Sequence, residues 1–161
     1  MNKFIYKIVF CVSAFFLFIM AYMPMHETYK CMLQLVNYTG EGAYIIVSVI
    51  GDSGNYQETL KVLGQDEQWY PDLENWHNFH KDSGQNIDGI TGATIAGGER
   101  TVFSFYLDEK YVDSDYSLRI ETAVEDQDYH LDDVKLPILS EKMTGTVEGS
   151  GYIRYIKLLN K

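Results

Sequence analysis

Cysteine is nearly absent from this chain, with two in 161 residues. Cys11 falls inside an apolar N-terminal run, so Cys31 is left without an internal partner and no disulfide can staple the rest, whatever the redox compartment. Stability has to come from packing. Basic side chains are also few: 13 Lys and Arg stand against 23 Asp and Glu, a formal net charge of −10 that excludes DNA and RNA as partners and suits a basic protein better. Several chemistries lack their residues. Gly92-Ala93-Thr94 is followed by Ile95, without the lysine of a phosphate-cradling loop, so nucleotide triphosphate chemistry is excluded. A calcium loop framed on Gly89 would put Gly84 and Ile95 where carboxylates are required. Neither a Ser-His-Asp set nor paired carboxylates occur in a recognisable context, which leaves a hydrolase unsupported. His77 and His80 are spaced to share a helix face, yet further ligands are wanting and no metal site is expected. Glu125, Asp126 and Asp128 read as a solvated turn.

What is present begins at the N-terminus. Lys3 and Lys7 precede a run from Ile8 to about Met25 without an acid or base, the form of a secretory signal. Export to the periplasm or beyond is the expectation. Ala21 suits the last position before a cut, whereas Ile19 is bulky for the site two places earlier; about 18 apolar residues nearly span a bilayer, so an uncleaved anchor stays open. Neither cysteine follows the pattern of a lipid-attachment site. Loss of residues 1–25 removes two lysines and no acid, moving the formal charge from −10 to −12. Residues 26–161 suit a single domain.

Beyond the run, short β-branched and aromatic stretches alternate with Gly, Asp, Ser and Asn clusters. The expected fold is all-β, an immunoglobulin-like antiparallel β-sandwich of seven to eight strands. Cys31 to Thr39 is one candidate strand. Ala43 to Gly51 is the strongest, with Ile45, Val47 and Val49 on one face, Tyr44, Ser48 and Ile50 on the other, and hence a central place. Asp52-Ser53-Gly54-Asn55 turns the chain into Gln57 to Leu63. Phe103, Phe105 and Leu107 mark another strand, Leu118 and Ile120 the next, and His130 to Leu136, Lys142 to Val147 and Tyr152 to Leu159 complete the set.

Residues 64 to 100 break the pattern. This long irregular insertion carries both tryptophans, and insertions on a rigid sandwich are where function concentrates. Pro71-Asp72-Leu73-Glu74 can start a short helix whose Leu73, Trp76 and Phe79 or His80 share one face. Near its end stands Asp88-Gly89-Ile90-Thr91-Gly92-Ala93-Thr94. Gly92 tolerates unusual backbone angles and Ala93 adds little bulk, so Thr94 is expected at a tip that a second protein can reach.

Asp88, Thr91, Gly92, Ala93 and Thr94 resemble the acceptor motif of bacterial flavin transferases: Asp, two variable residues, Ser or Thr, Gly, Ala, then Thr or Ser. In the C subunit of the sodium-pumping NADH:quinone reductase and the G subunit of the Rnf complex, the last hydroxyl of such a motif carries FMN through a phosphoester. By that resemblance Thr94 is the attachment site and a flavin transferase is a partner. Over roughly residues 31 to 158 the chain is also similar to an uncharacterised bacterial periplasmic family, domain of unknown function 2271, associated with flavin transferases and PepSY-type membrane proteins. Tyr116-Ser117-Leu118-Arg119-Ile120-Glu121 is close to that family's Tyr-Thr-Leu-Arg-Ile-Glu strand. The chain departs from it where members have a Trp-Asp-Gly turn: here Phe103-Ser104-Phe105-Tyr106 runs on to Leu107-Asp108-Glu109.

Two expectations follow. In one, the protein is an exported electron carrier with covalent FMN, exchanging electrons with a PepSY-type membrane reductase or a cytochrome, and Trp69, Tyr70 and Trp76 shield or stack on the flavin ring. In the other, the same sandwich is a cofactor-free binding or adhesion module, and Trp76 belongs to a small core beneath the insertion.

Overall fold

Strand β2 (Tyr44–Gly51) sets the architecture, because all eight of its residues are buried and both of its faces therefore need cover. The computed structural model describes residues 26–159; the expected signal or anchor, residues 1–25, lies outside them. Among the described residues nine strands form two sheets. One has the order β5-β1-β9-β8, built from β1 (His26–Leu35), β5 (Arg100–Asp108), β8 (Gly145–Glu148) and β9 (Ile153–Leu159). The other has the order β4-β3-β2-β6-β7, adding β3 (Tyr56–Leu63), β4 (Thr91–Gly92), β6 (Tyr116–Ala123) and β7 (Tyr129–Pro137). The expected all-β sandwich is present. The strand beyond the expected seven to eight is β4, two residues inside the insertion, too short for alternation to reveal.

Period-two patterning divides β2 as its sequence indicates: Ile45, Val47 and Val49 enter the core between the sheets, while Tyr44 and Ile46 face outward. Leu118 and Ile120 of β6 and Phe103, Phe105 and Leu107 of β5 complete that core, each side chain contributing roughly 1.5–3 kcal/mol on burial. The outer face of the first sheet is conventional, with Val102 and Tyr106 exposed. The outer face of the second is covered by the insertion. A 3-10 turn (Glu67–Asp72) leads into α1 (Glu74–Ser83), which ends at Gly84 in the left-handed region at φ 63. Tyr70, Leu73, Trp76 and Ile87 then pack on Tyr44, Ile46, Val62 and Ala123. The predicted helical face is real: Leu73 and Trp76 are fully buried, Phe79 and His80 half-buried.

A buried carboxylate links the two sheets. Asp133 of β7 accepts from Thr122 Oγ1 (2.6 Å) and from the N–H groups of Ser150, Gly151 and Ile153 (2.9, 2.7 and 2.9 Å). Those amides lead into β9 of the opposite sheet, so one side chain satisfies four donors at the seam. Asp133→Ala, which orphans them, is expected to lower unfolding free energy by about 3 kcal/mol, against less than about 0.5 kcal/mol for Asp128→Ala in the exposed turn; urea midpoints at unchanged m-value measure both.

Candidate functional site

The Asp88–Thr94 segment leaves the insertion at the edge of the second sheet, where the exposed rim of β3 would otherwise carry unpaired backbone groups. Gln85 covers the middle of that rim with its side-chain amide: Thr59 N–H donates to Oε1 (2.9 Å) and Nε2 donates to Thr59 C=O (2.7 Å). After a short 3-10 turn at Asp88–Ile90, Thr91 and Gly92 pair in parallel with Val62 and Leu63, and Gly64 N–H donates to Gly92 C=O (2.7 Å). Three residues on, Ile95 forms an antiparallel bridge with Ala43 (2.7 and 3.2 Å), and the Tyr38 hydroxyl donates to Ile95 C=O (3.1 Å). Ala93 and Thr94 thus span two segments stitched to the sheet. The segment is a held edge rather than a free tip, because it is paired on one side with β3 and on the other with Ala43, just before β2.

The two threonines differ in what their hydroxyls do. Thr91 Oγ1 donates to Ile87 C=O (2.8 Å), closing the turn, and its side chain lies within hydrogen-bond reach of Tyr70. Thr94 Oγ1 has no hydrogen-bond partner among the described residues. Its side chain is half-buried beside exposed Ala93, so the hydroxyl is neither consumed by the fold nor sealed from solvent. Behind it lies Gly42: a Cβ there would stand 2.4 Å from Thr94 Oγ1 and 2.7 Å from its Cβ. Only hydrogen fits. Gly92 is close-packed too, with Leu63 Cδ2 3.2 Å and Lys61 Nζ 3.9 Å from where its Cβ would be. Asp88 is exposed, and its N–H donates to Asn86 Oδ1 (2.9 Å).

The aromatic residues lie mostly inside. Trp76 is fully buried; its Nε1 donates to Thr59 Oγ1 (2.9 Å), His80 stacks on its ring at 5.0 Å, and Tyr70 meets it edge-on at 5.0 Å. Tyr70 is buried and donates to Gly64 C=O (3.1 Å). Both belong to the small core beneath the insertion, and Trp69 packs half-buried at its margin. Burial holds His77 below the ordinary histidine range, and among the described residues no three His, Cys, Asp or Glu gather as a metal shell. Burial pushes the Cys31 thiol up to about 12, so it is an unreactive packing residue.

One titratable group under the helix escaped the sequence reading. Glu121 of β6, wholly buried, accepts from the hydroxyls of Tyr56 (2.7 Å) and Tyr129. Phe79 stacks on Tyr56 at 5.1 Å, and the Arg119 guanidinium, paired to Asp132 at 2.7 Å, lies 5.3 Å from the same ring. Burial raises the Glu121 carboxyl to about 7, more than the two hydroxyls and Arg119 restore, and raises both tyrosines out of the titrating range. Alternation alone placed this residue on the outer face of a strand, where a glutamate ordinarily meets water.

The fold and site define an all-β sandwich whose insertion covers one sheet and holds, at that sheet's edge, a threonine hydroxyl with no partner among the described residues. The chain belongs to the family described as "Predicted periplasmic protein (DUF2271)", which matches residues 26–155. No match was found among curated proteins or among solved structures. Among the described residues no helix is long and apolar enough to cross a membrane.

Two outcomes test this geometry. Gly42→Ala should displace Thr94 and cost about 1–3 kcal/mol, with faster hydrogen exchange at the Ile95 amide, whereas Gly89→Ala, with open space around it, should change stability by less than about 0.5 kcal/mol. The folded protein holds the Glu121 proton more tightly than the unfolded chain does. The contribution of Glu121 to stability is therefore fully present below about pH 4.5 and is lost as pH rises through about 7, by about 3 kcal/mol in all. Glu121→Gln should flatten that slope in denaturant titrations from pH 4 to 8.

Proposed function

We propose that the protein is an extracytosolic carrier of FMN, attached covalently to Thr94 by a flavin transferase, and that it passes electrons between a PepSY-type membrane reductase or cytochrome and an acceptor outside the cytoplasm. The observation that carries this reading is the contrast between the two threonines: Thr91 spends its hydroxyl on Ile87, while Thr94 keeps a free hydroxyl at the last position of Asp88-x-x-Thr91-Gly92-Ala93-Thr94. The description of the family as periplasmic agrees with it.

The residues present fit the group. Exposed Ala93 leaves the approach to Thr94 open, and Gly42 keeps the ground behind it clear. Thr91, Gly92 and Asp88 shape the segment, and Trp69, like Phe79, is an aromatic residue of the insertion with a face still partly outside the core. Trp76 and Tyr70, packed on one another, belong to the core beneath the insertion and are not free to stack on the ring. The bound flavin supplies one- and two-electron chemistry. The chain holds it by a bond rather than by affinity, which keeps its local concentration high where free FMN would be diluted away. The formal charge of −10 steers basic partners at low ionic strength.

Intact mass after co-expression with a flavin transferase tests the reading. Wild type and Thr91→Ala should gain one FMN-sized increment and yellow fluorescence, and Thr94→Ala neither. A wild type that stays colourless under a transferase active on another substrate overturns it and leaves the cofactor-free binding module. An increment that persists in Thr94→Ala moves the bond elsewhere.

A further inference from the structure

We infer that Lys61 forms an anion site with the backbone of the 91–94 segment, and that this site takes the phosphate of the flavin nucleotide during and after its transfer to Thr94. The inference rests on the reading of Thr94 above and adds to it a residue outside the motif. Lys61 lies on β3 beside the two residues that pair with Thr91 and Gly92. Its Nζ is 3.9 Å from the position of a Cβ on Gly92, so the ammonium sits over the one residue of the segment that has no side chain to hold it off. Thr94 is two residues further, a span of at most about 7 Å even when extended.

Three features distinguish this lysine from a surface cation. It is half-buried on a strand, whereas Lys30 and Lys157 of the other sheet are exposed. It has neither an ion pair nor a hydrogen bond among the described residues, although acids outnumber bases 23 to 13. Burial holds its ammonium below the ordinary lysine range, with no neighbouring acid to offset the loss of water. An incompletely solvated cation gains more from an anion than an exposed one does, because part of its desolvation has already occurred in the empty site. The anion that reaches the segment in the proposed chemistry is a phosphate.

The transfer balances without a further reactant. Thr94 Oγ attacks the phosphorus on the FMN side of FAD; the Oγ–P bond forms, the P–O bond to AMP breaks, and AMP leaves with the pyrophosphate electrons. The hydroxyl proton goes to a base of the transferase. The product keeps one phosphodiester charge next to the protein, and during attack charge accumulates on the same oxygens. Without Lys61 both would meet a net negative protein. Lys61 is thus a positioning residue: it holds the phosphate, and the motif supplies the hydroxyl.

The test is the initial rate of FMN attachment in vitro, with purified protein, a flavin transferase and magnesium FAD, read by in-gel flavin fluorescence and intact mass. Lys61→Met should slow attachment about tenfold, through a charge-assisted contact that is lost. Lys61→Arg should stay within about twofold of wild type, and Lys30→Met, which removes the same charge from the far sheet, should leave the rate unchanged. Equal unfolding midpoints for the Met and Arg variants separate the effect from folding. If wild type is labelled and Lys61→Met is labelled as fast, the anion site is overturned while Thr94 stands. If Lys30→Met is slowed as much as Lys61→Met, global charge accounts for the effect and the site is overturned as well. If wild type is not labelled, the flavin reading falls and this inference falls with it.

Discussion

The structure depends on a central strand that is apolar on both faces. In an ordinary antiparallel sandwich one face of each sheet meets its partner and the other meets water, so polar and apolar residues alternate. Strand β2 breaks that rule with Tyr44 and Ile46 buried on the side away from the core. Left bare, that face would be an apolar patch inviting association. The stretch from Gly64 to Ile90 removes it, and the positions of Tyr70, Leu73, Trp76 and Ile87 follow from that need. The Asp88–Thr94 segment lies where the cover ends. Having crossed the sheet, the chain returns along the free rim of β3 before it enters β5, and the rim fixes its backbone.

Two buried carboxylates show how donors decide what burial does. Asp133 collects three backbone amides and a hydroxyl, groups that the turn before β9 would otherwise leave unsatisfied, so the charge and the amides solve each other's desolvation. Glu121 has two phenol hydroxyls and a neighbouring guanidinium that is already engaged by Asp132. The first ties the sheets together. The second sits between the cover and the sheet as a group whose proton is nearly balanced at neutral pH, and it couples the seating of Tyr56, Phe79 and Tyr129 to acidity.

Much of this was legible from sequence, and what was not has a physical reason. Alternation at Ile45, Val47 and Val49 identified the central strand, and the spacing of Leu73 and Trp76 identified the inner face of α1, since both periods are local. The motif itself is contiguous and so was readable. Its surroundings were not. Gly42 clears the space behind Thr94, Lys61 lies over Gly92 and Gln85 pairs with Thr59, all through contacts between residues far apart in the chain. No local pattern marks them. A two-residue parallel strand such as Thr91–Gly92 likewise has no periodicity to detect. The sequence left Trp76 between a flavin ring and a small core beneath the insertion; an indole that covers a doubly apolar sheet is committed to that core, with Thr59 on its nitrogen and His80 on its face.

A half-buried threonine beside an exposed alanine suits the proposed chemistry. Non-covalent flavin proteins need an enclosed pocket, because the burial of the ring has to supply the affinity. Attachment through the phosphate end removes that requirement and replaces it with another: the hydroxyl must be reachable by the modifying enzyme and held still enough to attack. The 91–95 segment meets both conditions by being paired on each side of Ala93 and Thr94 and free between them. A loop of the same sequence without those pairings would have to be ordered inside the transferase at an entropic cost of about 1–2 kcal/mol for each residue fixed. The sheet has already ordered it. The apolar second face of β2 and the placement of Thr94 are therefore two consequences of one design, in which the cover of the sheet also supplies the segment that pairs along its rim.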